Sequence, residues 1–233
     1  MKIPGVFTTI KITHGQPIFL EKHQARLIAH AKQAGFQIHT TAITQKIVTW
    51  LQDHPLKDCV LKISILGEYK EPEILFATRE LPQTSGSIRL ISVPDNRDVS
   101  KVIKSIDRTM YEQAKQMAQA KGADDAIFEE DGYLIESTIC NLFSLNKKGE
   151  IITPPIAGKG LAGVMRASIM ENFPVREEPI PKTTNGPLVL TNSLRVQKAS
   201  SLDGRILADG EVLLEKLKIT INKAEFKYLS SRT

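Results

Sequence analysis

The sequence holds only two cysteines in 233 residues, Cys59 and Cys140, far apart and in no Cys-x-x-Cys pairing. That excludes a disulfide-stapled scaffold and a cysteine-based zinc or redox motif, and it suits a reducing compartment. Aromatic residues make up 6% and are dispersed, too few for a base-stacking platform. No block of five or six like charges occurs. The net charge of +5 is therefore spread along the chain, which points to small anionic ligands such as phosphate or carboxylate and away from nucleic acid. The five histidines show no metal-ligand pairing with each other or with cysteine, so no metal is expected. There is no Gly-x-Ser-x-Gly elbow, no internal repeat and no low-complexity tract. No apolar stretch approaches membrane-spanning length, and Met1-Lys-Ile-Pro runs straight into a strand-like segment with no apolar signal-peptide core. The expectation is a cytoplasmic protein without a membrane partner.

What is present is an ordinary globular composition, 41% hydrophobic and 24% charged. Residues 5–12 read as a strand entering a turn at His14-Gly15, and helical spacing predicts helices over 21–35 and 41–53. Strands over 60–66 and 74–78 flank a loop and suggest an antiparallel hairpin; a third strand spans 88–93. The polar segment Pro94-Asp-Asn-Arg-Asp98 reads as a connection, so the expected organisation is an α+β domain over 1–93, a connection over 94–103, and an α/β domain over 104–233. In the second domain, a helix over 107–121 precedes strands at 124–129, 140–145, 151–153 and 188–191. Asp131-Gly132 and Asp203-Gly204 mark turns, 160–173 is a glycine-rich loop opening a helix, and an apolar stripe predicts a terminal helix.

Three features carry chemistry. Lys104 stands where the connection meets the second domain, and a lysine amine can add to carbonyls and then act as a base. Taken alone, a lysine is most often a solvated surface charge. Glu136 could be the polar end of a strand or a carboxylate set against a pyridinium nitrogen; Asn141 could orient a group or satisfy backbone. Gly158-x-Gly160-x-x-Gly163 before a helix is a phosphate-cradle pattern. Thr153-Pro-Pro precedes it, where a dinucleotide fingerprint needs a buried strand, so a single phosphate fits better. Arg26 could supply a second clamp on that anion or be an exposed helix residue.

As an ordered set, Val6-Phe-Thr-Thr9, His23-x-x-Arg26-Leu27, Lys104, Glu136-Ser-Thr-x-x-Asn141-Leu-Phe143, Thr153-Pro154, Leu161-x-Gly163-Val-x-Arg166 and Thr191-Asn-Ser-Leu194 resemble the class IV aminotransferase family of fold-type IV pyridoxal-phosphate enzymes. The likeness runs from about Gly5 to Arg205. It implies a two-domain fold of the D-amino acid aminotransferase type, with pyridoxal 5'-phosphate between the domains, in a homodimer whose partner chain contributes to each active site. By the resemblance Lys104 would form a Schiff base with the cofactor and shuttle protons, and Glu136 would pair with the pyridine nitrogen. Arg26, the backbone of Val164 and Met165, and the hydroxyl of Ser193 would hold the phosphate. Thr9 and Asn192 resemble the aminodeoxychorismate lyase branch, in which they would assist proton movement, and the substrate would be a small molecule releasing p-aminobenzoate, a folate precursor, and pyruvate. A transaminase acting on D- or branched-chain amino acids is the second reading, and a non-catalytic basic binding protein the third. Many relatives carry a glycine- and arginine-rich loop where this chain has Gly67-Glu-Tyr-Lys-Glu-Pro72. That leaves Lys11 or Arg108 as candidates for a substrate carboxylate.

Overall fold

In a computed structural model, which describes residues 4–83, 86–98, 102–156 and 159–231, the chain forms two compact units. The first comprises Met1–Pro82, Ile103–Asp107 and Lys227–Thr233. Its sheet has the order β2-β1-β3-β4, from β1 (Gly5–Thr13), β2 (Gln16–Pro17), β3 (Cys59–Gly67) and β4 (Pro72–Arg79), every pairing antiparallel. The alternation in β1 explains its placement. Val6, Thr8, Ile10 and Ile12 are buried, while Phe7, Thr9 and Lys11 fall on the other face, half-buried. His14 and Gly15, both at positive φ, make the tight turn into β2. Helices α1 (Leu20–Gln33) and α2 (Thr40–Asp53) close the core, with Leu27, Ala31, Ile43 and Ile47 packed with Ile10, Leu61 and Ile63. Gly35, at φ 97°, ends α1 by turning the chain so that the Phe36 N–H reaches the Ala31 carbonyl at 3.0 Å.

The second unit comprises Gln83–Val102 and Arg108–Phe226. Its strands are β5 (Ile88–Pro94), β6 (Asp125–Glu130), β7 (Tyr133–Ser137), β8 (Asn141–Leu145), β9 (Ile151–Thr153), β10 (Arg176–Glu177), β11 (Ile180–Pro181), β12 (Val189–Asn192), β13 (Arg195–Leu202) and β14 (Arg205–Ile206). The run β8-β12-β13-β5-β6-β7 is closed by a pairing of β7 with β8, so six strands form a ring. Leu142, Leu190, Ile127, Leu90 and Leu202 belong to one core cluster of this unit. Helix α3 (Thr109–Ala120) packs Ala114 and Ala118 with Phe128 and Val93, α4 (Val164–Asn172) lies against β12, and α5 (Glu211–Ser230) is the terminal helix. No helix among the described residues is long and apolar enough to cross a membrane.

The strand over 88–93 was expected in the first domain, yet β5 runs parallel to β6 and β13 inside the second sheet. Alternation reveals which face of a strand is buried, not which strand lies beside it. Conversely, the segment 103–107, expected at the start of the second domain, joins the first unit: Ser105 forms an antiparallel bridge with Val6, and the Phe7 N–H donates to the Lys104 carbonyl at 2.9 Å. Gly5 permits this approach, because a methyl group there would collide with Ile106.

Candidate functional site

In the first unit the backbone of Lys104 is held from two sides. Its carbonyl takes the Phe7 N–H, and its own N–H donates to Nδ1 of His30 on α1 at 3.0 Å. An Nδ1 that accepts carries no proton, so His30 is the Nε2–H tautomer. The electrostatics agree: burial, then the charges of Arg26 and Lys104, push the His30 pKa down to about 4. The Lys104 ammonium lies 4.8 Å from the centroid of the Phe7 ring, within cation–π range. Thr9 and Lys11 are on that same face of β1.

The opposite face of β1 turns Thr8 toward α1. Its hydroxyl is within hydrogen-bond distance of His23 Nδ1, 2.7 Å, and accepts from Arg26 Nη2 at 3.2 Å. His23 is buried, and burial, Arg26 and Lys104 hold its pKa well below the ordinary value, so it too is neutral. Burial pulls Arg26 down to about 10, still charged at neutral pH. Arg26 is thus a half-buried cation on the inner side of α1, and the exposed-arginine alternative falls away.

In the second unit Glu136 and Asn141 are direct cross-strand partners at the closure of the ring. Together they grip one peptide: Glu136 Oε2 accepts the Leu161 N–H at 2.9 Å, and the Asn141 amide donates to the Leu161 carbonyl at 2.9 Å. This fixes the loop that starts α4. Gly163 is its N-cap and offers no side-chain cap, so the N–H groups of Val164 and Met165 belong to a first turn that lacks intrahelical acceptors. A side chain at 163 would strike the Asn141 amide oxygen, which is why glycine stands there. Of the predicted glycine pattern, Gly160 and Gly163 flank this loop, and Gly158 lies outside the described residues.

The other oxygen of Glu136 meets a residue that sequence reasoning passed over. Arg97 donates through Nη1 to Glu136 Oε1 at 2.5 Å and to the Tyr111 hydroxyl at 2.9 Å, through Nε and Nη2 to both Asp95 oxygens at 2.7 Å, and through Nη2 to the Lys159 carbonyl at 3.2 Å. Five acceptors meet the five N–H groups of one guanidinium. The group also lies 4.0 Å from the centroid of Phe128. Burial opposes its charge, but the bonds to Asp95 and the charge of Glu136 overcome this and raise its pKa. The segment expected to be a connection therefore supplies a buried part of the site. Its composition gave no signal, since Asp95, Asn96 and Arg97 read equally well as a surface turn.

Arg108 and Asn192 come to one short turn between β7 and β8. The Arg108 guanidinium donates to the Thr138 carbonyl and lies 4.2 Å from the centroid of the Tyr111 ring; the Asn192 amide donates to the next carbonyl, Ile139, at 3.2 Å. Burial pulls the Arg108 pKa down, against the acidic neighbours Glu136, Glu112 and Asp125. The oxygen of Asn192 accepts from Leu194 and Arg195, so this side chain also builds the β12–β13 hairpin in whose turn Ser193 sits. Thr191, on the strand against which α4 packs, has a buried hydroxyl with no hydrogen-bond partner among the described residues. An uncapped helix start and an orphaned buried hydroxyl on that strand suit an anion, and a half-buried lysine amine suits a carbonyl.

The chain resembles proteins of known sequence and structure over most of its length. A Schizosaccharomyces pombe protein provisionally named aminodeoxychorismate lyase is 24% identical over 168 residues, spanning 70% of this chain and 72% of its own. A Legionella pneumophila structure, provisionally named 4-amino-4-deoxychorismate lyase, is 26% identical with a TM-score of 0.82, covering 95% of this chain and 91% of that one. A Mycobacterium tuberculosis hypothetical aminotransferase, solved with pyridoxal phosphate bound, shares the fold at a TM-score of 0.80 and 17% identity, over 95% of this chain and 88% of that one. Residues 5–198 match the amino-transferase class IV family, and the chain belongs to that family.

Proposed function

We propose that the protein is a pyridoxal-phosphate lyase that converts 4-amino-4-deoxychorismate to p-aminobenzoate and pyruvate. What carries the reading is that both lyase-named relatives match over most of their own length as well as most of this chain. Pyridoxal phosphate, when bound, supplies an aldehyde that captures amines and a ring that draws electrons from the carbon beside the captured nitrogen. With that group bound, Lys104 would hold its aldehyde, and once the substrate amine took its place the freed Lys104 amine would accept the ring proton next to that amine. The enolpyruvyl C–O bond would then break, the departing enolate would take up a proton and leave as pyruvate, and aromatisation of the ring would drive the step. Arg26, the N–H groups of Val164 and Met165, and Ser193 hold the phosphate. Glu136, its carboxylate oriented by Arg97 and the Leu161 N–H, would pair with the pyridine nitrogen.

Thr9, on the face of β1 that also carries Phe7, relays a proton to the departing group. Asn192 sets the turn that carries Ser193. Arg108 meets a substrate carboxylate, with Lys11 as the second cation available to a dicarboxylate. The active form is a homodimer in which the partner chain completes each site. The test is to supply cofactor-loaded protein with freshly generated aminodeoxychorismate and follow p-aminobenzoate fluorescence together with pyruvate. Catalytic release of both supports the lyase. A normal cofactor spectrum with no p-aminobenzoate turns the assignment to a transaminase, checked by amino transfer from D- or branched-chain amino acids.

A further inference from the structure

The buried and half-buried guanidinium groups of the second unit each hold an acceptor, with one exception. Arg97 has Glu136, Arg166 has Glu177, Arg108 has the Thr138 carbonyl and Arg205 the Lys182 carbonyl. Arg195 is also half-buried, yet its side chain meets no acceptor among the described residues. Its Nε is closed off from solvent by the chain itself and is left unanswered. Only the backbone of the residue is engaged, its N–H donating to Asn192 Oδ1 at 3.1 Å. A guanidinium presents five N–H donors and no acceptor, so withdrawing it from water with none of them met costs free energy that no contact within the chain returns.

The register says where this side chain is held. Strands β12 and β13 are joined by the two-residue turn Ser193-Leu194, and Asn192 stands directly opposite Arg195. Residues paired across two antiparallel strands project from the same face. The Asn192 amide marks that face: it reaches the Ile139 carbonyl at 3.2 Å and Cys140 Sγ at 3.3 Å, both in the turn between β7 and β8. Arg108 donates to the preceding carbonyl of the same turn, that of Thr138. The hairpin therefore fixes the backbone of Arg195 firmly, on the face that carries Asn192 to this turn, while its charged end is given nothing to bind.

We propose, on the reading of the site as one that takes a small dicarboxylate, that Arg195 binds one of the two substrate carboxylates. The planar fork of a guanidinium matches the two oxygens of a carboxylate, and a group desolvated before the ligand arrives loses little more on binding it. Arg108 is left for the second carboxylate. The orphaned side chain is thus a feature of the ligand-free state, and Arg195 adds nothing to folding.

The test reads binding and does not depend on turnover. Calorimetry on the full chain carrying pyridoxal phosphate compares p-aminobenzoate with p-aminobenzamide, which lacks the charge, and adds pyruvate as a carboxylate common to the lyase and to a transaminase that accepts it. Arg195→Met should weaken p-aminobenzoate or pyruvate about tenfold, on the scale of a hydrogen bond to a charged group, and leave p-aminobenzamide within about twofold. Arg195→Lys should recover part of the loss, because it restores the charge without the fork. The ligand-free melting temperature of Arg195→Met should be no lower than that of the parent.

Equal weakening of acid and amide, unchanged affinity for both acids, or no binding of either acid by the parent overturns the proposal. So does a loss confined to pyridoxal phosphate, which would make Arg195 a phosphate ligand, or a changed sedimentation mass with unchanged acid affinity, which would give it to a neighbouring copy. Release of p-aminobenzoate from aminodeoxychorismate with unchanged acid affinity in Arg195→Met sinks this proposal and leaves the lyase standing. No release, with pyruvate binding weakened tenfold by the same substitution, sinks the lyase and leaves Arg195 as the carboxylate ligand.

Discussion

The two units treat their buried polar groups in opposite ways. Around Lys104 the first unit buries bases and keeps them uncharged: His23 and His30 are both driven down by desolvation and by the cations Arg26 and Lys104. Around Glu136 the second unit buries charges and pairs them, with Asp95, Arg97 and Glu136 saturating one another through short hydrogen bonds. The first arrangement gathers positive charge beside neutral rings. In the second, Asp95 balances Arg97, and the formal charge of Glu136 remains over. An anionic group suits the first arrangement and a protonated ring nitrogen suits the second.

The largest expected effect breaks the first half of that contrast. If Lys104 captures the aldehyde as proposed, Lys104→Ala should lower turnover by several orders of magnitude. Cofactor affinity, read by equilibrium dialysis, should fall but persist through the phosphate contacts. Unchanged turnover would remove Lys104 from the chemistry.

The next breaks the second half. Arg97→Met leaves two buried carboxylates with no cation between them, and the cost is on the order of 3–5 kcal/mol by denaturant melt. Arg97→Lys should recover only part of it, since an ammonium cannot present five donors in a plane. If methionine costs no more than lysine, the network is not what holds Glu136.

A third expected effect follows the neutral histidines. His30 titrates at about 4 in the folded chain against 6.5 unfolded, so the unfolded state binds more protons between those values. Stability is full above about pH 6.5 and falls as the pH drops toward 4, by at most about 3 kcal/mol for this group. His23 shifts in the same direction and steepens the slope. His30→Gln keeps an acceptor for the Lys104 N–H and cannot titrate. Its stability curve between pH 4 and 6.5 should be visibly flatter than that of the parent protein.

Most local structure was legible in the chain because local rules decide it. Gly35 stops α1, Asp131-Gly132 turns β6 into β7, and the β3–β4 hairpin follows from two alternating runs around a loop. What was not legible is partnership at a distance. Nothing in Ile88 to Val93 says that β5 joins β6 and β13, and the polar run before Lys104 hides Arg97. The strand β13 also escaped notice, since Arg195 to Leu202 is mostly polar and is made a strand by its neighbours β12 and β5. For the site, Glu136, Asn141 and the α4 start stood out by pattern, while Thr8 was overshadowed by Thr9, its neighbour on the other face of β1. Asn192, read for proton movement, is seen here engaged with backbone on both sides of its amide.

The smallest effect separates the units most finely, because it uses the same chemistry in each. Thr8 and Thr191 are both fully buried threonines in strands. The Thr8 hydroxyl serves His23 and Arg26, so Thr8→Val strands a buried ring nitrogen and should cost about 1–3 kcal/mol. The Thr191 hydroxyl meets no partner among the described residues, so Thr191→Val removes an unsatisfied group and should leave the cofactor-free protein equally stable or more stable by about 1 kcal/mol. If that hydroxyl is there for the anion, the same variant should bind pyridoxal phosphate more weakly, about fivefold, on the scale of one hydrogen bond to a charged group. A stabilised apo protein with weakened cofactor binding identifies Thr191 as a ligand-facing group. A variant that is stabilised and binds normally makes it a tolerated flaw in the core.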